Sequence, residues 1–361
     1  VLIPYVAVIA YFSHFMVSPP RIRISESDRP VLGVFMEVDR EPEGGSGVRL
    51  LRTVSPARDA GLRSGDVILR VNDLPVATNQ DLAAVVRAGA PGDRVRIQAR
   101  RMGPDGETAI LVDVPLAFRP VSPADHGLPY QDVAFTDLQG RTLRGWYVPP
   151  PDGSPLPAPG VVYGHGNGGD RRHWLPIAWE VHQAGVAQLL FDFAGRGESE
   201  GTTISLGARE SEAMIAGLEF LAGLKEVGGS RIGLAGRSMG GAAAAMAAGR
   251  DPRVRALVLD SPFADLTREV DYAIGTYHMP PALFRAPILA VAAMRGRFEP
   301  REVVPVAALA SFHGPVLLYH GQEDEAVPVT CALEFKEAVG DRLELHLLDG
   351  IGHNGRRPAP Y

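Results

Sequence analysis

Ser238 lies in the pentapeptide Gly236-Arg237-Ser238-Met239-Gly240, between an apolar run at 231–236 and an alanine-rich run at 240–250. The first run reads as a short buried strand and the second as a tightly packed helix. A serine on the sharp turn between strand and helix is strained with its hydroxyl exposed, and the two glycines let neighbouring backbone approach without a Cβ clash. Serine is a weak nucleophile until a base takes its proton. It needs a histidine as that base, and a carboxylate to fix the histidine's tautomer and stabilise its charged form.

Both partners follow in the chain. Pro315-Val-Leu-Leu-Tyr-His320 is an apolar run that empties into Gly321-Gln-Glu-Asp324-Glu-Ala-Val-Pro328, which puts Asp324 just past the end of a strand. Glu323, Glu325 and Asp260 are alternative carboxylates. Leu343-Glu-Leu-His-Leu-Leu348 alternates like a last strand and leads into Asp349-Gly-Ile-Gly-His353, which makes His353 the candidate base. The other nine of the ten histidines show no metal-ligand spacing such as His-Glu-x-x-His, so no metal is expected.

A developing oxyanion needs two backbone donors. The N–H of the residue after the nucleophile, Met239, is one; the second falls in His165-Gly-Asn167-Gly-Gly169, after the strand-like run at 160–164, on the backbone of Asn167. A phosphate cradle is the competing use of such glycines, but no Gly-x-x-x-x-Gly-Lys spacing exists.

These motifs occur in the order Ser, Asp, His at the ends of strands. Residues 130–361 resemble the α/β-hydrolase superfamily, near its serine aminopeptidase and prolyl-oligopeptidase-like branches. Asp192-Phe-Ala-Gly-Arg-Gly-Glu-Ser199, Ser261-Pro-Phe263 and the Gly-x-x-Asp-x-x-Val-Pro loop add to the likeness. The resemblance implies an α/β fold, a mostly parallel sheet flanked by helices, with a lid at 264–312. It gives the Asp192 segment a structural role, and no cofactor.

Ahead of that stretch, Thr53 to Asp73 contains Ala60-Gly-Leu62-Arg-Ser-Gly65-Asp66, which is similar to the central segment of bacterial PDZ domains. The resemblance spans 31–118 and implies a small β-barrel or α+β domain. PDZ domains add a partner's C-terminal peptide as a strand and hold its carboxylate on successive backbone N–H groups. The corresponding loop holds Leu32, Gly33 and Val34; Leu32, Val34 and Met36 with Leu82, Val85 and Val86 would line an apolar side-chain pocket. A Pro-rich stretch at 119–129 reads as a semi-stiff linker.

With 361 residues, a net charge of −6 and pI near 6.0, two cores fit and a nucleic-acid surface is disfavoured. The single cysteine, Cys331, excludes an intramolecular disulfide and reads as a buried thiol. Residues 1–17 are almost unbroken apolar, near the length a bilayer needs (roughly 20 residues), so 1–20 reads as a membrane anchor or the surviving end of one, with a buried N-terminal helix or strand as the alternative. Arg21 and Arg23 would favour a cytoplasmic catalytic part. Membrane association, at the bacterial inner membrane, is the expectation, its side left open. A first residue other than Met, and only eight residues after His353, suggest a chain that continues at one or both ends.

The expected protein is a membrane-tethered serine hydrolase that cleaves an acyl ester or related bond in a small-molecule or acylated substrate, without a cofactor. Its PDZ module would bind a protein C-terminus. Two alternatives stand beside it: a peptidase whose substrates the PDZ domain presents, and a non-catalytic membrane scaffold.

Overall fold

Short Val-, Ile- and Leu-rich runs bounded by Gly, Pro or Asp become strands, and the alanine-rich runs become helices. The computed structural model describes residues 2–18, 30–32, 34–36, 47–53, 56–90, 92–103, 106–118 and 122–355. They form two units: one holds the N-terminal helix α1 (Leu2–Val17) and the chain from Pro129 onward, the other the stretch between.

That intervening unit contains β1 (Pro30–Val31), β2 (Val34–Met36), β3 (Val48–Thr53), β4 (Val67–Val71), β5 (Leu74–Pro75), α2 (Asn79–Ala88), β6 (Arg94–Gly103), β7 (Gly106–Pro115) and β8 (Ala117–Phe118). The main sheet runs β2-β3-β4-β6-β7, β5 pairs with β4, and β1 pairs with β8. Leu50, Leu62, Ile68, Leu82 and Ile97 fill its core. Asp66 of the Gly-Asp pair is fully buried; it accepts two hydrogen bonds from Arg101 (2.7 and 2.8 Å) and one from the Arg63 N–H (2.8 Å). Thr78 caps α2, and Asp81 reaches back to the Thr78 N–H.

From Pro129 onward the elements are β9 (Gln131–Thr136), β10 (Thr142–Val148), β11 (Ala158–Gly164), α3 (Leu175–Gln183), β12 (Ala187–Phe191), α4 (Ala208–Ala222), β13 (Val227–Arg237), α5 (Met239–Arg250), β14 (Val254–Asp260), α6 (Leu266–Thr276), α7 (Pro281–Gly296), α8 (Pro305–Leu309), β15 (Val316–Gly321), α9 (Thr330–Val339) and β16 (Leu343–Leu348). The eight strands order as β9-β10-β12-β11-β13-β14-β15-β16. Pairing is antiparallel from β9 through β10 to β12 and parallel from there on. Parallel strands buried on both faces explain the continuous apolar runs. This is the α/β-hydrolase arrangement.

The alanines of α5 are a packing requirement. Ala242 to Ala247 are almost wholly buried, and a Cβ at Gly249 would lie 2.1 Å from the carbonyl of Ala308 in α8. Cys331 is buried in the same core, and desolvation pushes its thiol up to about 11.

The apolar run for which the sequence suggested a membrane anchor is α1, and it packs on α7. Tyr5 Oη donates to the Leu283 carbonyl (2.7 Å), and Ser13 Oγ lies 2.6 Å from the Ile9 carbonyl and 3.3 Å from that of Ile288. The Ile204 N–H donates to the Val17 carbonyl at 2.9 Å. Ile9 and Val17 are part of the same core as the eight-stranded sheet. Among the described residues no helix is long and apolar enough to cross a membrane.

Candidate active site

Ser238 is the single residue between β13 and α5, at φ 52° and ψ −121°. A non-glycine residue with positive φ is strained, and surrounding contacts must hold it there. The flanking glycines are obligatory: a Cβ on Gly236 would sit 2.1 Å from the Gly240 carbonyl oxygen, and one on Gly240 would sit 2.3 Å from that of Gly164. The strand, turn and helix can pack this closely because none of these positions carries a side chain.

The turn after β16 brings His353 to Ser238. His353 Nδ1 is 2.7 Å from Asp324 Oδ2, and Nε2 is 3.1 Å from Ser238 Oγ. A carboxylate accepts only, so Nδ1 carries the proton and Nε2 is left to accept from the serine hydroxyl. The other oxygen of Asp324 accepts from the N–H groups of Ala326 (3.0 Å) and Val327 (2.8 Å). Burial acts to raise the Asp324 carboxyl, but the hydrogen bonds from His353 and Val327 outweigh it and hold the group below the usual carboxylate range. Glu323 and Glu325 are exposed residues of the cavity lining instead, and Asp260 faces Arg237 at 3.7 Å.

Ser238 opens into a cavity of about 1100 Å³ that is also lined by Asn167, Met239 and His353. Met239 is the first residue of α5, with its N–H at the positive end of the helix. Two buried groups that the sequence reading passed over fix the Asn167 loop. His165 accepts from the Phe193 N–H through Nε2 (3.1 Å), so its Nδ1–H donates to the Gly166 carbonyl (2.8 Å). Burial lowers the pKa of His165, which keeps it neutral in that role. Arg196 Nη2 donates to Asn167 Oδ1 at 2.7 Å, so the Asp192 segment braces the loop expected to carry the oxyanion donor. A Cβ on Gly197 would meet Asp192 Oδ2 at 2.1 Å, which accounts for a glycine of that segment.

Arg237 is a third residue that sequence reasoning missed, since it occupies a variable position of the pentapeptide. Its Nη2 donates to the His353 carbonyl, and its Nη1 is 3.4 Å from His173 Nε2. Burial and the Arg237 charge push His173 down to about 3. An apolar part of the wall comes from α6 (Leu266, Val270, Ile274), from Tyr277 and, unexpectedly, from Phe12 and Met16 of α1, and Glu269 of α6 is part of the same lining.

In the other unit, Leu32 and Leu82 lie in the core, while Val34, Met36, Val85 and Val86 are partly exposed and packed against it. Gly33 lies outside the described residues. The outer edge of β2 has no strand beside it among the described residues.

Comparison with known proteins agrees with both units. Residues 30–112 match the family model of the PDZ domain and residues 195–359 that of the prolyl oligopeptidase family. An uncharacterized protein of Mycobacterium tuberculosis is 32% identical over 236 residues, covering 65% of this chain and 76% of its own. The uncharacterized protein YfhR of Escherichia coli is 29% identical over 202 residues, covering 55% and 64%. Among solved structures, the Pyrococcus furiosus esterase Pf2001 superposes with a TM-score of 0.53 at 25% identity, over 64% of this chain and 86% of that one. An acetyl xylan esterase from Paenibacillus sp. R4 shares the fold at a TM-score of 0.51 and 22% identity, over 62% and 78%. With these matches lying over the strands and turns just described, the chain belongs to the α/β-hydrolase superfamily, in its prolyl-oligopeptidase-like branch, as a serine hydrolase with a PDZ domain N-terminal to it.

Proposed function

We propose that the protein hydrolyses carboxylic esters through Ser238, His353 and Asp324. His353 Nε2 takes the Ser238 proton as Oγ attacks the acyl carbonyl, and Asp324 stabilises the imidazolium that results. The tetrahedral oxyanion is held by the backbone N–H groups of Met239 and Asn167. The imidazolium then protonates the leaving alcohol as the carbon–oxygen bond breaks, which leaves an acyl-serine. Water, deprotonated by the same histidine, attacks that ester, and collapse returns the proton to Ser238 and releases the acid.

The observation that carries this reading is His353 bridging Asp324 and a strained Ser238 at 2.7 and 3.1 Å. The apolar wall suits an acyl chain, and α1 is assigned to that wall rather than to a bilayer because its inner face is buried in the hydrolase core. Turnover of p-nitrophenyl acetate to octanoate should fall at least about 10³-fold in Ser238→Ala; undiminished turnover in that variant would refute the assignment.

Peptide-bond cleavage is the second reading, favoured by the prolyl oligopeptidase family match. Peptidyl p-nitroanilides compared with the matching esters separate the two. In either reading the PDZ domain takes a protein C-terminus along β2, against Val34, Met36, Val85 and Val86. Binding of free-carboxylate peptides but not their C-terminal amides, measured by fluorescence polarisation, is the expected result. Equal binding of both would remove carboxylate capture.

A further inference from the structure

Glu269, on α6, is a cavity-lining carboxyl that the proposed chemistry leaves without a task. Its Oε2 is buried with no hydrogen-bond partner, and no ion pair to its carboxyl occurs among the described residues. A buried polar group without a partner is costly, and most buried polar atoms in folded proteins have one. Its helix neighbours Leu266, Val270 and Ile274 give the same wall an apolar character, and Phe12 and Met16 of α1 also line the cavity.

We propose that Glu269 receives a positively charged nitrogen of the substrate, so that the cavity selects esters whose apolar body carries an ammonium group. This rests on Ser238 being the nucleophile. The exposed residues Glu323 and Glu325 belong to the same cavity lining and add negative charge around it. The guanidinium in the lining, that of Arg237, is engaged by the His353 carbonyl and lies beside Asp260. A hydroxyl or amide could donate one hydrogen bond to Glu269, but it would gain nothing from the surrounding negative field, whereas an ammonium gains from both. Burial, then the charge of Asp324, pushes the Glu269 carboxyl up to about 8, so in the empty cavity it keeps a proton near neutrality. An incoming ammonium supplies the missing charge and lets it ionise. The apolar wall takes the carbon skeleton.

The test compares three ligands of one length, n-hexylamine, 1-hexanol and hexanoate, with the full chain. Their inhibition of p-nitrophenyl butyrate hydrolysis gives one set of affinities. Calorimetric titration of the Ser238→Ala protein gives a second that needs no turnover. The amine should bind at least about tenfold more tightly than the alcohol, as expected for a charge-assisted hydrogen bond, with hexanoate weakest. Glu269→Gln should bring amine and alcohol within about threefold, and Glu269→Asp should keep part of the preference. Equal binding of amine and alcohol to the wild-type chain, or a preference undiminished in Glu269→Gln, overturns the proposal. Absence of ester turnover would count against the nucleophile assignment alone, because calorimetry still reads the amine preference.

Discussion

Replacing Glu269 by Gln removes a titrating group and keeps its size, which makes its energetic cost measurable. Burial and Asp324 raise the carboxyl from its ordinary 4.5 to about 8 in the folded chain. At 1.36 kcal/mol per pH unit this is about 3–5 kcal/mol. The folded state holds the proton to higher pH than the unfolded state does, so the stabilisation is complete below pH 4.5 and is lost as pH rises through 8. Glutamine has no such loss. In a unit of this size each kcal/mol moves Tm by roughly 2–4 °C, so the wild-type hydrolase transition should fall about 10 °C below that of Glu269→Gln between pH 5 and pH 8.5. Scanning calorimetry of both proteins across that range reads the difference directly. Parallel Tm profiles, within about 2 °C throughout, would mean that Glu269 is not held in an environment hostile to its charge.

Asp324→Asn should keep the fold and lower kcat about 10³- to 10⁴-fold, because an amide can impose the wrong histidine tautomer; steady-state ester kinetics read the loss. Arg237→Met removes a charge-assisted hydrogen bond to the His353 carbonyl, about 1.5–3 kcal/mol, and should cut kcat/KM by about 10- to 100-fold if the clamp positions the base. A variant within twofold of wild type would show that the turn holds His353 unaided. Phe12→Ala should shift preference toward longer acyl chains, raising the octanoate-to-butyrate ratio of kcat/KM several-fold, since a methylene in an apolar pocket is worth about 1–3 kcal/mol. An unchanged ratio would remove α1 from the acyl wall.

Much of the hydrolase site is local in sequence, and that is why it could be read. Gly236 and Gly240 are there because backbone comes within 2.1 and 2.3 Å of where a Cβ would be, and such constraints leave a pattern at fixed spacing. Asp324 and His353 each follow an apolar run, and a turn after a parallel strand lies at the strand's carboxyl end, where this sheet gathers its polar groups. Asp324 stood out from Glu323 and Glu325 by its place in the Gly-x-x-Asp-x-x-Val-Pro loop, and the structure sets its carboxylate 2.7 Å from His353 Nδ1. Arg237, His165 and Arg196 act through contacts with residues distant in sequence or at positions any residue type can fill, so no spacing announces them. The reading of residues 1–20 shows the limit of composition. An unbroken apolar run reports burial but not in what, and α1 buries Ile9 and Val17 against the chain from Pro129 onward. Glu269 was invisible for the opposite reason: one acid in an amphipathic helix looks like a solvated one until the wall around it is known.

Labelling with a fluorophosphonate probe tests the central assignment most directly. The wild-type chain should take up one probe, and mass spectrometry of the digested adduct should place it on Ser238. Labelling should disappear in Ser238→Ala and slow sharply in His353→Ala. Labelling that persists in Ser238→Ala, or an adduct on another residue, would contradict the account of Ser238 as the activated nucleophile.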